Sequence, residues 1–270
     1  MKIRLLVIFG FLFTASNVLS SEAGHLGVTT DLTFSSKYMM DGFKVGGDHP
    51  VVQPSLSIDI LTPGFSLMFW SALQLDRANH FNDELDVMAR YSRIIFRGSP
   101  LAIQVQGFAD YWIYPKPELQ VDEFGIEKPL EIKQGNKLHL GLSLPALLPI
   151  AGSHVIPAYN VYYSIYWERN RKDQYQGGAL HQAHLRYAHE VPTLLPGTLA
   201  QYLGISGSLN YHDGVFNIRP GLTHSTLQIG TSIYISRFTI SLSLDRQWSY
   251  RSDLNAGNEL WSSLSLTTKI

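Results

Sequence analysis

Residues 52–60 read VQPSLSIDI, and their alternation decides the fold. Val52, Leu56, Ile58 and Ile60 fall on one face of an extended chain, while Gln53, Ser55, Ser57 and Asp59 fall on the other. Successive side chains of a strand point to opposite faces, so a period of two means a strand with one apolar and one polar side. Working outward, the pattern recurs in about twelve segments. They lie near 26–38, 51–61, 65–76, 83–95, 100–113, 136–146, 154–168, 179–190, 199–211, 222–235, 237–248 and 258–270. Most are close to the roughly nine to eleven residues that a tilted strand needs to cross the hydrocarbon of a bilayer. Many amphipathic strands with almost no helix predict an all-β protein: a single closed antiparallel transmembrane barrel of about 12 strands.

The connections point the same way. Thr62-Pro63-Gly64, Arg97-Gly98-Ser99, Ala151-Gly152-Ser153, the Pro-rich turn 191–198 and Ser236-Arg237 are compact. Between them fall longer, more polar connections centred on Asp41 to His49, Arg77 to Asn82, Tyr114 to Gly135, Arg169 to Gly178, His212 to Gly221 and Ser249 to Gly257. Short periplasmic turns alternating with longer outer loops are the rhythm of an outer-membrane barrel.

The N-terminus has the layout of a secretory signal. Lys2 and Arg4 precede an apolar core from Leu5 to Phe13, and small and polar residues follow. Residues 1–20 are expected to be a signal peptide with cleavage near 20–23, and residues 24–270 the barrel. The implied location is a bacterial outer membrane, reached through the periplasm. The chain has no cysteine, so disulfides and thiolate metal sites are ruled out. The net charge of −1 offers no basic field for nucleic acid. Charged residues make up 16%, against about 25% in ordinary soluble domains, as expected when one face lies in lipid.

The phase of the alternation assigns faces residue by residue. Leu85, Val87, Ala89 and Tyr91 are placed toward lipid, as are Leu138, Leu140, Leu142 and Leu144, then Ile240, Leu242 and Leu244, and finally Leu260, Leu264, Leu266 and Ile270. The opposite parity defines an expected lumen lining. In the first half of the chain it holds Asp31, Lys37, Asp59, Asp76, Glu84, Asp86 and Arg90. In the second it holds Asp110, Lys137, His139, Glu168, His184, Arg186 and Asp245. A charge facing lipid at mid-depth costs about 2–4 kcal/mol, so confinement to the lumen is required physically. Tyr38, Tyr111, Trp112, Tyr166, Trp167, Tyr211, Trp248 and Tyr250 gather near the outer strand ends, and Phe65, Phe96 and Phe238 near the short turns. These read as the two interfacial girdles.

Polar lumen residues suit either a path that selects small solutes by size and charge or a filled lumen in which they pair with one another. The channel is the leading expectation. The alternative is a plugged structural or surface-interaction barrel that acts through its outer loops. A lipid-modifying enzyme ranks third: no Gly-x-Ser-x-Gly elbow and no His-x-Ser-Asn pattern is present, and Gly204 to Ser208 is a small-residue stretch of barrel wall. No cofactor or metal is expected. His181 and His184, three apart on a strand, face opposite ways, and His212-Asp213 is read as a loop without neighbouring ligands. Outer-membrane lipid and lipopolysaccharide are the expected surroundings, with the basic run Arg169, Arg171 and Lys172 a candidate for phosphate contacts. The acidic 114–135 loop could fold into the mouth as a constriction or project outward.

One region goes beyond barrel texture. Ser36-Lys37-Tyr38, Gly42, the run Pro50 to Leu56, Gly64-Phe65-Ser66 and Trp70, then Asn82 to Tyr91, resemble the opening of the TorF/Gcw_chp-like family, over residues 35–91. That resemblance implies an outer-membrane barrel of largely uncharacterised function and no particular reaction. The family's Arg before Gly is Asp41 here, and the final residue is Ile270 where a terminal Phe is common in such barrels.

Overall fold

The structure is a computed structural model. It describes residues 27–270 apart from 46, 61–63, 77–82, 100, 114–118, 122–126, 130–133, 145–147, 151–152, 166–177, 194–199, 215–217 and 253. The leader, Glu168 and the basic run 169–172 therefore lie outside the described residues, as does most of the acidic loop.

Twelve long strands close an antiparallel barrel, with no helix among the described residues. They are β1 (Val28–Ser35), β2 (Val51–Asp59), β3 (Phe65–Gln74), β4 (Glu84–Ile95), β5 (Ile103–Ile113), β6 (Gln134–Ser143), β7 (Ser153–Ile165), β8 (Gly178–Val191), β9 (Ala200–Asp213), β10 (Gly221–Ile235), β11 (Phe238–Ser249) and β12 (Glu259–Lys269). Each pairs with its sequence neighbours, and β1 pairs with β12 to complete the ring, from Thr29↔Lys269 to Ser35↔Ser263. Val28 and Ile270 exchange backbone hydrogen bonds at 3.1 and 2.8 Å, so the ladder is closed to its last residue. Closure leaves the ring of strands without an open edge, which a lipid surround demands.

Two short connections show, in their described residues, what their sequences suggest. At the β2–β3 turn the Ile60 N–H donates to the Phe65 carbonyl, and Gly64 sits at φ 92°. A Cβ there would lie 2.5 Å from the Ser92 carbonyl oxygen, so only glycine fits. The β10–β11 connection is the two-residue turn Ser236-Arg237, with Ser236 at φ 53°.

The ladder register fixes the faces, because residues paired across strands share one. Most apolar side chains expected toward lipid stand outside the barrel and are exposed, Leu140 at 55% and Leu244 at 51%, whereas Leu56 is buried. A band this apolar is a liability in water and is at home in hydrocarbon. Tyr111, Tyr211, Trp248 and Tyr250 are exposed near the outer rim, and Phe65, Phe96 and Phe238 near the short turns. Two aromatics expected in the outer girdle are elsewhere. Trp112 is paired with Asp86, on the inner face, and Tyr38 is buried inside the barrel. Both stand at strand ends, where an aromatic has the composition of a belt residue whichever way it points.

The first outer connection also differs from expectation. It is not an outward loop. Residues Tyr38–Met40 and Phe43–Val45 form a short hairpin, paired from Tyr38↔Val45 to Met40↔Phe43. Asp41 and Gly42 occupy its turn at φ 49° and 93°. An Asp-Gly pair with both φ positive is the type I′ geometry whose twist suits a hairpin.

Candidate functional site in the lumen

The hairpin lies inside the barrel and is tied to walls on opposite sides. The Tyr38 hydroxyl donates to Glu84 of β4 at 2.6 Å, and the Lys137 ammonium of β6 donates to Asp41 at 2.6 Å. Across the lumen, the Gln247 amide of β11 donates to the Gly42 carbonyl at 2.8 Å. Lys37 and Lys44 both reach Glu259 of β12, at 2.7 and 2.9 Å, and both reach Asp48. Those hydrogen bonds, Asp48 first and then Glu259, raise the Lys37 pKa, and Lys37 and Lys44 lower that of Asp48. Burial adds to the tethering: Tyr38, Val51 and Ala72 form an apolar cluster, with Met40, Val45 and Trp70 packed against it. Phe43 meets His212 edge-on at 6.3 Å. His212 belongs to β9 and not to a loop, and it is fully buried.

Gly42 is closely packed in this seat. A Cβ there would stand 2.6 Å from the His224 ring and from Leu254.

The hairpin divides the lumen. Toward the short turns lies a cavity of about 300 Å³. Its wall is built of small polar positions, among them Ser206, Ser232, Ser241, Ser243, Ser263 and Ser265, with His184 and Arg186 on β8. Beside the hairpin, near the outer rim, lies a second cavity of about 320 Å³. Glu84, Asp86, Asp110, Asp41 and Lys137 line it together with aromatic rings.

Between the two levels a belt of carboxamides and hydroxyls follows the wall. The Gln106 amide donates to Asn160, Asn160 to Gln182, Gln182 to Asn210, and Asn210 to Ser208, at 3.0–3.3 Å. His139 sits on this belt, 3.3 Å from the Asn160 amide oxygen and stacked 4.3 Å over Tyr162.

Of the expected lining residues, the structure brings Glu84, Asp86, Asp110 and Lys137 to one cavity and His184 and Arg186 to the other. Lys37 holds the hairpin. Asp31 accepts hydrogen bonds from Thr33, Ser265 and Thr267, and Asp245 accepts from Gln228 and Ser243. Asp76 pairs with His49 at 3.1 Å near the outer rim. Arg90 lies against the Met68 sulfur, and Asp59 is exposed at the short-turn end. The expectation missed Asp41 and Glu259, because their partners are remote in sequence, and Asp48, because its connection was read as an outward loop.

No family model matches the chain, and no curated protein matches it. Solved structures do. The β domain of the Bordetella autotransporter BrkA aligns with a TM-score of 0.55 at 11% identity, over 91% of this chain and 100% of that one. LpxR from Salmonella typhimurium aligns at 0.52 and 11% identity, over 89% and 99%. The NanC porin aligns at 0.51 and 8% identity, over 91% and 100%. At such identities the likeness is one of fold, that of outer-membrane β-barrel proteins.

Proposed function

We propose that the protein is a non-enzymatic outer-membrane channel for small solutes, in which the first outer connection folds back as a constriction. The observation that carries this reading is the inner cavity of about 300 Å³, lined largely by serines together with His184 and Arg186, on one side of the hairpin. A barrel built only as a scaffold has no need to keep that space open, and large side chains at those positions would have filled it. The expected location is the outer membrane, with the leader removed near residues 20–23 and lipid and lipopolysaccharide around the barrel. No cofactor takes part. The TorF/Gcw_chp-like resemblance of residues 35–91 agrees with this reading, and the 8%-identical NanC structure is a porin.

The plugged-barrel alternative has its own support in the hairpin's ties to both walls. Planar-bilayer recording with purified, refolded protein separates the two. Small, discrete current steps are expected from the full-length chain. A tight seal at every voltage, in both the full-length chain and a variant lacking residues 39–44, overturns the channel.

A further inference from the structure

The outer cavity has an imbalance of charge that the rest of the lumen lacks. In the inner half, carboxylates are satisfied by neutral donors: Asp31 by three hydroxyls, and Asp245 by an amide and a hydroxyl. In the outer cavity the carboxylates of Asp41, Glu84, Asp86 and Asp110 face one ammonium, Lys137, among the described lining residues. Lys137 is committed to Asp41 at 2.6 Å.

Asp86 and Asp110 are each only 7% exposed, and the Oδ1 atom of each has no hydrogen-bond partner among the described residues. Buried carboxylate oxygens without donors are costly, and a cation brought alongside removes that cost. The surrounding surface is aromatic. Tyr38, Trp70, Phe108 and Trp112 line the same cavity, with Tyr38 and Trp70 rings 6.0 Å apart and tilted by 47°. Indole and phenol faces attract a weakly hydrated cation, tryptophan most strongly. A bare metal ion suits the site poorly, since the described His, Asp and Glu residues nowhere converge as a coordination shell. About 320 Å³ is at the small end of ligand pockets.

We propose that this cavity beside the hairpin binds small organic ammonium ions, with the neighbouring Glu84 and Asp86 carboxyls, as a pair, and Asp110 supplying the negative charge and Trp70 and Trp112 the ring faces. Binding stands independently of transport; only the claim that such ions are the conducted solute rests on the channel reading.

Tetramethylammonium titrated into the folded, detergent-solubilised full chain should quench or shift tryptophan emission saturably. The neutral alcohol 2,2-dimethylpropanol, of similar size, and sodium chloride at equal concentration should not. Asp86→Asn and Asp110→Asn should each weaken tetramethylammonium binding by about 10-fold or more, while the lipid-face control Leu244→Val leaves it unchanged. If either Asn variant fails to show a folded, heat-modifiable band, Trp70→Leu replaces it with the same expected loss. Equal response to the alcohol and the ammonium ion, or full binding in the folded variants, overturns the site. Binding without current would retain the site and remove the channel, and cation-selective current without binding would do the reverse.

Discussion

At the scale of single residues, face decides cost. Leu140 stands in the lipid-facing row, 55% exposed on the outside of the barrel. Leu140→Arg should lower folding stability by about 2–4 kcal/mol, read as a shift of the urea midpoint in lipid vesicles. Ser206→Asn, on the inner wall, should leave that midpoint nearly unchanged. Lys137 behaves differently again. Replacing it with Met removes the tether to Asp41 and leaves four carboxylates around one cavity. Loss of one partner of a buried pair costs about 3–5 kcal/mol, so Lys137→Met should be among the most damaging single changes in the lumen. The alternation of the sequence makes the face of Leu140 or Asp110 legible, because parity alone determines it. It does not reveal that Trp112 turns inward, since an aromatic at a strand end satisfies the belt pattern from either side. Nor does it reveal that Lys137 meets Asp41, because the two are far apart in the chain and only barrel closure brings them together.

At the scale of elements, the hairpin 38–45 is the part the sequence both announced and concealed. Met40-Asp41-Gly42-Phe43 carries the strongest short hairpin signal, yet its position between two strands reads as an ordinary outer loop. Whether a loop projects or folds inward depends on what receives it, and Glu84, Lys137, Gln247 and Glu259 come from four different strands. Gly42→Val should unseat the turn, since no Cβ fits beside His224. Single-channel conductance should then rise several-fold while the barrel stays folded, and unchanged conductance would show that the hairpin does not constrict the path. The Lys37–Asp48 pair makes the seat depend on pH. Asp48, whose pKa is lowered, contributes above about pH 4 and loses its contribution as pH falls through its folded value. Lys37, whose pKa is raised, contributes fully below about pH 10 and loses it above. The hairpin's seating, read as the difference in conductance from the Gly42→Val variant at each pH, should therefore hold between about pH 5 and 10 and weaken modestly at either extreme, because Asp48 is exposed.

For the whole molecule, the long–short rhythm of connections and the unbroken phase of about twelve segments were enough to set strand number and closure. Purified protein should migrate faster in detergent gels unheated than boiled; identical migration would contradict a closed barrel. What composition could not supply was the filling of the lumen, which depends on contacts between opposite walls. Those contacts have a mechanical side. A hollow ring of strands under the lateral pressure of a bilayer can flatten into an oval by shearing its ladder slightly. The hairpin joins β4 and β6 on one side to β11 and β12 on the other, so it acts as a strut across the ring. Stiffness of the cross-section at the outer rim would then come from six or so side-chain ties and not from the ladder alone, and the rim would keep its roundness only while the strut is seated.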